Sequence, residues 1–159
     1  EMMNLAVANQ ASYLFEASVG GGIPIIRPLH KCLVANVILE IKGILNGTTN
    51  YILTRMEHAG IDFDTALKEA QAHGYAEQNP TADVAGIDAC RKIAILSSIA
   101  TGEYIDSRQI HTEGITEVTT ADMAYARALN AKVKLLSSRS ASVISLITFA
   151  RVILSLFNA

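Results

Sequence analysis

The sequence predicts an α+β domain, a mixed β-sheet covered by helices on one face. Three observations carry that expectation. Apolar residues follow the helical period in some stretches and alternate in others, giving about five strands and six helices without strict βαβ alternation. The chain has 159 residues, half of them apolar and few aromatic, which fits one domain over residues 1–159 with an aliphatic core. Mean hydropathy is positive, and surplus apolar surface of this kind usually ends in an interface, so the uncovered sheet face is expected to meet a second copy in a homodimer.

Taken in order, residues 2–10 read as a helix from the recurrence of Met2, Leu5, Ala6, Val7 and Ala8. Residues 13–19 read as a strand containing Glu16, and a carboxylate inside a buried strand needs a reason. Gly20, Gly21 and Gly22 then let the backbone turn sharply and come close to another segment, a phosphate, or a cation held by carbonyls. Tight packing is the plainest of these. The run is not a G-x-G-x-x-G between strand and helix, so it is not the dinucleotide fingerprint. Glu16 followed by a glycine turn can nonetheless supply the carboxylate and carbonyl oxygens that hard cations take.

Pro24 opens a helix over residues 25–34. Residues 37–44 alternate and are rich in β-branched side chains, a strand pattern. Thr48 or Thr49 is placed to cap a helix over 51–59 that Gly60 ends. Asp64 is expected to cap 65–72, and a long helix runs over 82–100 to Gly102. A strand around 109–115 follows, then a helix over 122–129 capped by Thr120 and stopped at Asn130. A strand at 132–136, a second at 142–148 and a short closing helix complete the chain.

Composition excludes several classes. Net charge is −2 with the signs mixed, so there is no basic footprint for nucleic acid and no polybasic membrane patch. The apolar tail at 143–157 is interrupted by Ser145, Thr148, Arg151 and Ser155 and is too short for a membrane span. No leader is visible, and a cytoplasmic location is expected. Cys32 and Cys90 read as reduced core residues. His30, His58, His73 and His111 are scattered without metal spacing.

The chemistry concentrates in residues 70–92, AQAHGYAEQNPTADVAGIDACRK. Asp88 and Lys92 are four apart and share a helix face. Asp83 lies near a helix start, where a carboxylate is favoured by free N–H groups. Glu77 sits in the loop before it. The bland reading is a cap and a solvated surface pair worth a few tenths of a kcal/mol. Against it, Ala85, Ile87, Ala89, Ile93, Ala94 and Leu96 make the helix apolar on most sides, and a buried ionisable group needs a partner. Two rival readings use the same residues: a metal-dependent hydrolase built on Glu77, Asp83 and Asp88, and a non-catalytic dimerisation module with a structural carboxylate cluster.

The pattern Ala70-x-x-x-Gly74-Tyr75-Ala76-x-x-Asn79-Pro80-x-x-Asp83-Val84-x-Gly86-x-Asp88-x-x-x-Lys92 resembles the signature of homoserine dehydrogenases, with every fixed position filled. The runs EASVGGGIPIIRPL at 16–29, GILNGTTNYIL at 43–53 and KVKLL at 132–136 look like the same family. The resemblance covers residues 1–137 and fades over 138–159, apart from the closing Phe157, Asn158 and Ala159.

The resemblance implies a substrate and dimerisation domain interconverting L-homoserine and L-aspartate 4-semialdehyde with NAD(P), in the pathway to threonine, methionine and isoleucine. Lys92 would give and take the proton, and Asp88 would orient it. Glu77 would bind the substrate ammonium, with Tyr75 and Asp83 completing the pocket. Gly20, Gly21 and Gly22 would lie against the cofactor. A sodium ion would be held by Glu16 and the carbonyls of Val19, Gly21 and Ile23. The GILNGTTNYIL run would border the substrate cleft. The family's dinucleotide-binding domain is not in this sequence, so the fragment alone is expected to be inactive and to bind NAD(P) weakly.

Overall fold

A computed structural model describes residues 2–140 and 146–154. The chain divides into two compact units, Glu1–Val37 and Ile38–Ala159.

In the first unit, α1 spans Met2–Ala8 and a single π-helical turn spans Pro28–Cys32. The strand expected over 13–19 does not form. Ala17, Gly20 and Gly21 take positive φ values of 58°, 82° and 55°, which reverse the chain. Glu16 has a different use. Its Oε1 accepts from the N–H groups of Ile25 (3.1 Å) and Ile26 (2.9 Å), and its Oε2 from that of Arg27 (2.9 Å). These are donors that a helical start leaves without a partner. The Arg27 N–H, then that of Ile26, holds the Glu16 carboxyl below the usual carboxylate range. The helix expected over 25–34 is reduced to that one turn, because Pro28 has no N–H for a continuing ladder. Cys32 is consequently exposed rather than in the core, whereas Cys90 is buried.

The second unit is built on a four-stranded mixed sheet in the order β1-β3-β4-β2. The strands are β1 (Glu40–Gly43), β2 (His111–Thr112), β3 (Ala131–Ser140) and β4 (Leu146–Leu154). β3 pairs antiparallel with β1 and β4, while β2 runs parallel to β4. The mixed sheet is the one the sequence predicts. The short helix expected after residue 148 is instead strand as far as Leu154. There the ladder to β3, from Leu136↔Phe149 to Ala131↔Leu154, satisfies the backbone. A short apolar run suits either element, and the partner strand decides. Residues 142–145, the start of the strand expected at 142–148, and the family-like close at 157–159 lie outside the described residues.

Helices α2 (Gly47–Ala59), α3 (Phe63–Ala72), α4 (Thr81–Val84), α5 (Ile87–Thr101) and α6 (Thr120–Ala128) complete the unit. Ala131, Val133, Leu135 and Ser137 of β3 are buried, alternating with more exposed residues. Ile52, Leu53 and Met56 of α2 and Met123 of α6 pack in one cluster with Val133 and Leu135. Burying each of these large side chains contributes about 1.5–3 kcal/mol. The caps lie one or more residues before the expected ones. Asn46 caps α2 rather than Thr48 or Thr49, Asp62 caps α3 rather than Asp64, and Thr119 caps α6 rather than Thr120. A cap must keep extended backbone while its side chain reaches forward, and all three are extended, as with φ −128° and ψ 119° at Asn46. Thr119 and Asp122 form a reciprocal capping box.

The long helix expected over 82–100 is broken into α4 and α5 at Gly86, whose φ is 77°. Its end at Gly102 stands where expected, with φ 73°. The strand expected over 109–115 shortens to β2. No helix among the described residues is long and apolar enough to cross a membrane.

Candidate active site

The break at Gly86 is what assembles the site. On an unbroken helix, positions five apart point about 140° away from each other, so Asp83 and Asp88 would diverge. Here they converge. The junction is pinned by the 113–115 segment, where the Ile115 N–H donates to the Val84 carbonyl at 2.8 Å and Ile115 is fully buried. A Cβ on Gly86 would meet the Glu113 carbonyl at 2.8 Å, and one on Gly114 would meet Ala85 Cα at 2.7 Å. Only glycine fits either place.

Asp83 and Asp88 meet at Asn46. Its Nδ2 donates to Asp83 Oδ1 at 2.7 Å and to Asp88 Oδ2 at 2.8 Å. Lys92, one turn beyond Asp88 on α5, places Nζ 2.6 Å from the same Asp88 Oδ2 and donates to the Leu45 carbonyl at 3.1 Å. The Lys92 side chain is 25 % exposed and that of Asp88 31 %, so both are partly covered. An ammonium has three donors, and among the described residues two are engaged, leaving one for a ligand. One lysine against two carboxylates leaves an excess of one negative charge, which favours a cationic group on that ligand.

The loop before α4 is tied to α2. Thr48 Oγ1 donates to the Tyr75 carbonyl at 2.8 Å. The Tyr75 ring stacks on Tyr51 at 4.4 Å, and the Tyr51 hydroxyl is 3.1 Å from His73 Nδ1. Gln71 Nε2 donates to the carbonyls of Glu77 and Gln78 at 3.1 and 3.4 Å. The Glu77 side chain is exposed. Thus Lys92, Asp88 and Asp83 form one hydrogen-bonded group, whereas Glu77 and Tyr75 ride on a loop held through their backbone carbonyls. Asn46 and Leu45 join this group; they lie in the GILNGTTNYIL run expected to border the substrate cleft, but sequence reasoning gave neither a role. Their signal, an Asn before a helix start, is the ordinary signal of a cap.

The hydrolase rival fits poorly. Among the described residues no three His, Cys, Asp or Glu side chains gather to hold a metal. Between Asp83 and Asp88 stands an amide NH₂ group, a donor where a cation would need oxygens. A separate groove of about 270 Å³ between the N-termini of α3 and α6, lined in part by Asp62, Asp64 and Thr119, contains none of the expected site residues.

In the glycine turn of the first unit, the Cβ of any residue at Gly20 would meet the Ile23 carbonyl at 2.8 Å, so Gly20 has an internal packing reason. Gly21 and Gly22 have open space at the same position, and their backbone can be approached closely from outside.

A family model for homoserine dehydrogenase matches residues 24–158. The chain belongs to the homoserine dehydrogenase family. The matched span runs past residue 137, where the sequence resemblance ended. The homoserine dehydrogenase of Mycobacterium leprae is 48 % identical over 136 residues, covering 86 % of this chain and 31 % of that protein. A crystal structure of a homoserine dehydrogenase from Thiobacillus denitrificans superposes with a TM-score of 0.88 at 42 % identity, covering 95 % of this chain and 35 % of that one. A hyperthermophilic archaeal homoserine dehydrogenase in complex with NADPH gives a TM-score of 0.79 at 33 % identity, over 99 % of this chain and 44 % of that one. The chain therefore spans about a third of the length of the curated homoserine dehydrogenases it matches.

Proposed function

We propose that this chain carries the substrate-binding and proton-transferring part of a homoserine dehydrogenase, working with a dinucleotide-binding domain to interconvert L-aspartate 4-semialdehyde and L-homoserine. The observation that carries the reading is the partly buried Lys92 ammonium, held by Asp88 and the Leu45 carbonyl with one N–H to spare. Bound NAD(P)H supplies the hydride that makes the new C–H bond at the aldehyde carbon. As the C=O electron pair moves onto oxygen, Lys92 Nζ gives that oxygen its proton, and it regains one from water afterwards. In the reverse direction Lys92 takes the proton from the alcohol. Asp88 fixes the ammonium's direction. Glu77, with its exposed carboxylate, and Asp83 attract the substrate ammonium, and Tyr75 closes that side.

In the glycine turn, Gly21 and Gly22 offer open backbone for a flat cofactor ring, while Gly20 shapes the turn. For sodium, Glu16 already accepts three N–H groups. The Ala17 N–H also faces this carboxylate, so a sodium ion there would draw on the Glu16 charge and take the carbonyls of Val19, Gly21 and Ile23 as its further ligands. The expected setting is a cytoplasmic homodimer in the pathway to threonine, methionine and isoleucine.

The test is Lys92→Ala in the full-length enzyme. The expected outcome is a fall in kcat of roughly 10²–10⁴, the usual worth of acid–base help. A loss below about tenfold refutes the assignment of Lys92.

A further inference from the structure

Asn46 does more than cap α2. It is only 4 % exposed, and every part of its amide is in use. Oδ1 accepts from the Thr49 N–H at 2.8 Å, and Nδ2 gives its two protons to Asp83 and Asp88. The chemistry fixes the orientation of the amide: turned over, its oxygen would face two carboxylate oxygens and a backbone donor would face an NH₂.

We propose that Asn46 is a positioning residue for the proton transfer. It holds Asp88 at the angle that presents Oδ2 to Lys92, and it keeps Asp83 and Asp88 in fixed register without cancelling their charge. The proposal rests on the reading of Lys92 given above. Three features support it. Asn46 and Lys92 share one oxygen, Asp88 Oδ2, so rotation of Asp88 would break both contacts. The two carboxylates are brought together by a neutral donor, whereas an arginine or lysine there would neutralise the charge excess that favours a substrate ammonium. Leu45, which accepts from Lys92, is the residue next to Asn46, so the start of α2 fixes the lysine from two sides.

The substitution Asn46→Ser separates capping from bridging. Serine caps a helix about as well as asparagine, but it cannot reach two carboxylates with two donors. In the full-length enzyme kcat is expected to fall roughly 10–100-fold, the scale of a small misplacement of a catalytic group. KM for the amino-acid substrate should change less than kcat, and Tm should stay within about 3 °C. In an Asp88→Asn background the same change should cost less than about threefold, because the bridge then has no carboxylate to aim. Asn46→Asp provides a second variant of the same shape that keeps the cap and lacks the donors, and it should lose at least as much.

A kcat within about threefold of the parent in either variant, or losses that simply multiply with Asp88→Asn, overturns the proposal. Lys92→Ala run alongside tells the two readings apart. If that variant keeps its activity, the proton-transfer reading falls and the positioning role with it. If it is inactive while Asn46→Ser is not, only the bridge is wrong.

Discussion

Glu16 and the Asp83–Asp88 pair are carboxylates in the two different units of one chain, and they are used in opposite ways. Glu16 accepts three N–H groups of its own chain, at 3.1, 2.9 and 2.9 Å. Asp62 and Asp122 are similar: Thr65 holds the first below the usual carboxylate range, and Thr119 the second. Their oxygens are committed to starting helices. Asp83 and Asp88 instead receive a side-chain amide and an ammonium through Asp83 Oδ1 and Asp88 Oδ2. A carboxylate bound by local backbone is part of the architecture. Carboxylates that side chains bring together over long separations keep capacity for a ligand.

The sharpest way to break this contrast is to move the junction that makes the pair converge. Gly114→Ala drives a methyl group into the Val84 carbonyl and Ala85 Cα, both backbone. Backbone cannot turn aside as a side chain can, so the expected loss is about 1–3 kcal/mol or more, as in other overpacked sites. Urea unfolding of this chain measures it. Stability unchanged within error would mean that the junction is soft and that Gly86 alone sets the angle between α4 and α5. A smaller effect comes from a committed cap. Thr119→Ala removes one half of the Thr119–Asp122 box and should cost about 1 kcal/mol, again read by urea unfolding, without disturbing the Asn46 bridge.

The Lys92–Asp88 pair was legible because a helix places i and i+4 on one face, and Lys92 Nζ lies 2.6 Å from Asp88 Oδ2. The mixed sheet was legible from strands and helices that follow one another without strict βαβ alternation. What joins the site was not legible. Asn46 reaches residues 37 and 42 positions further along the chain, and nothing local to an N-cap announces its second function. Gly86 was visible but read as helix interior, since one glycine costs a helix only about 1 kcal/mol. What turns it into a break is a contact with Glu113, far along the sequence. Residues 13–19 read as a strand, yet positive φ at Ala17 and the capture of Glu16 by the following turn override that reading.

The mildest prediction concerns Glu16 and acid, and it sharpens the distinction from the other side. Hydrogen bonds from Arg27, then Ile26, lower the Glu16 pKa in the folded chain. A carboxyl with a lowered folded pKa adds stability that is complete above its ordinary unfolded value and disappears as pH falls through the folded one. At neutral pH, Glu16→Gln should therefore weaken the turn at residues 25–27. In strong acid the parent's Glu16 is protonated, and the two proteins should behave alike. The side chain is near solvent, so the effect should be local, and hydrogen exchange at the amides of Ile25, Ile26 and Arg27 is the suitable measurement. Protection in the parent should exceed that in the variant at neutral pH, with the difference closing in acid. A difference that persists unchanged in acid would mean that the shape of the side chain holds this turn, not its charge, and Glu16 would then no longer stand as the committed carboxylate of the comparison.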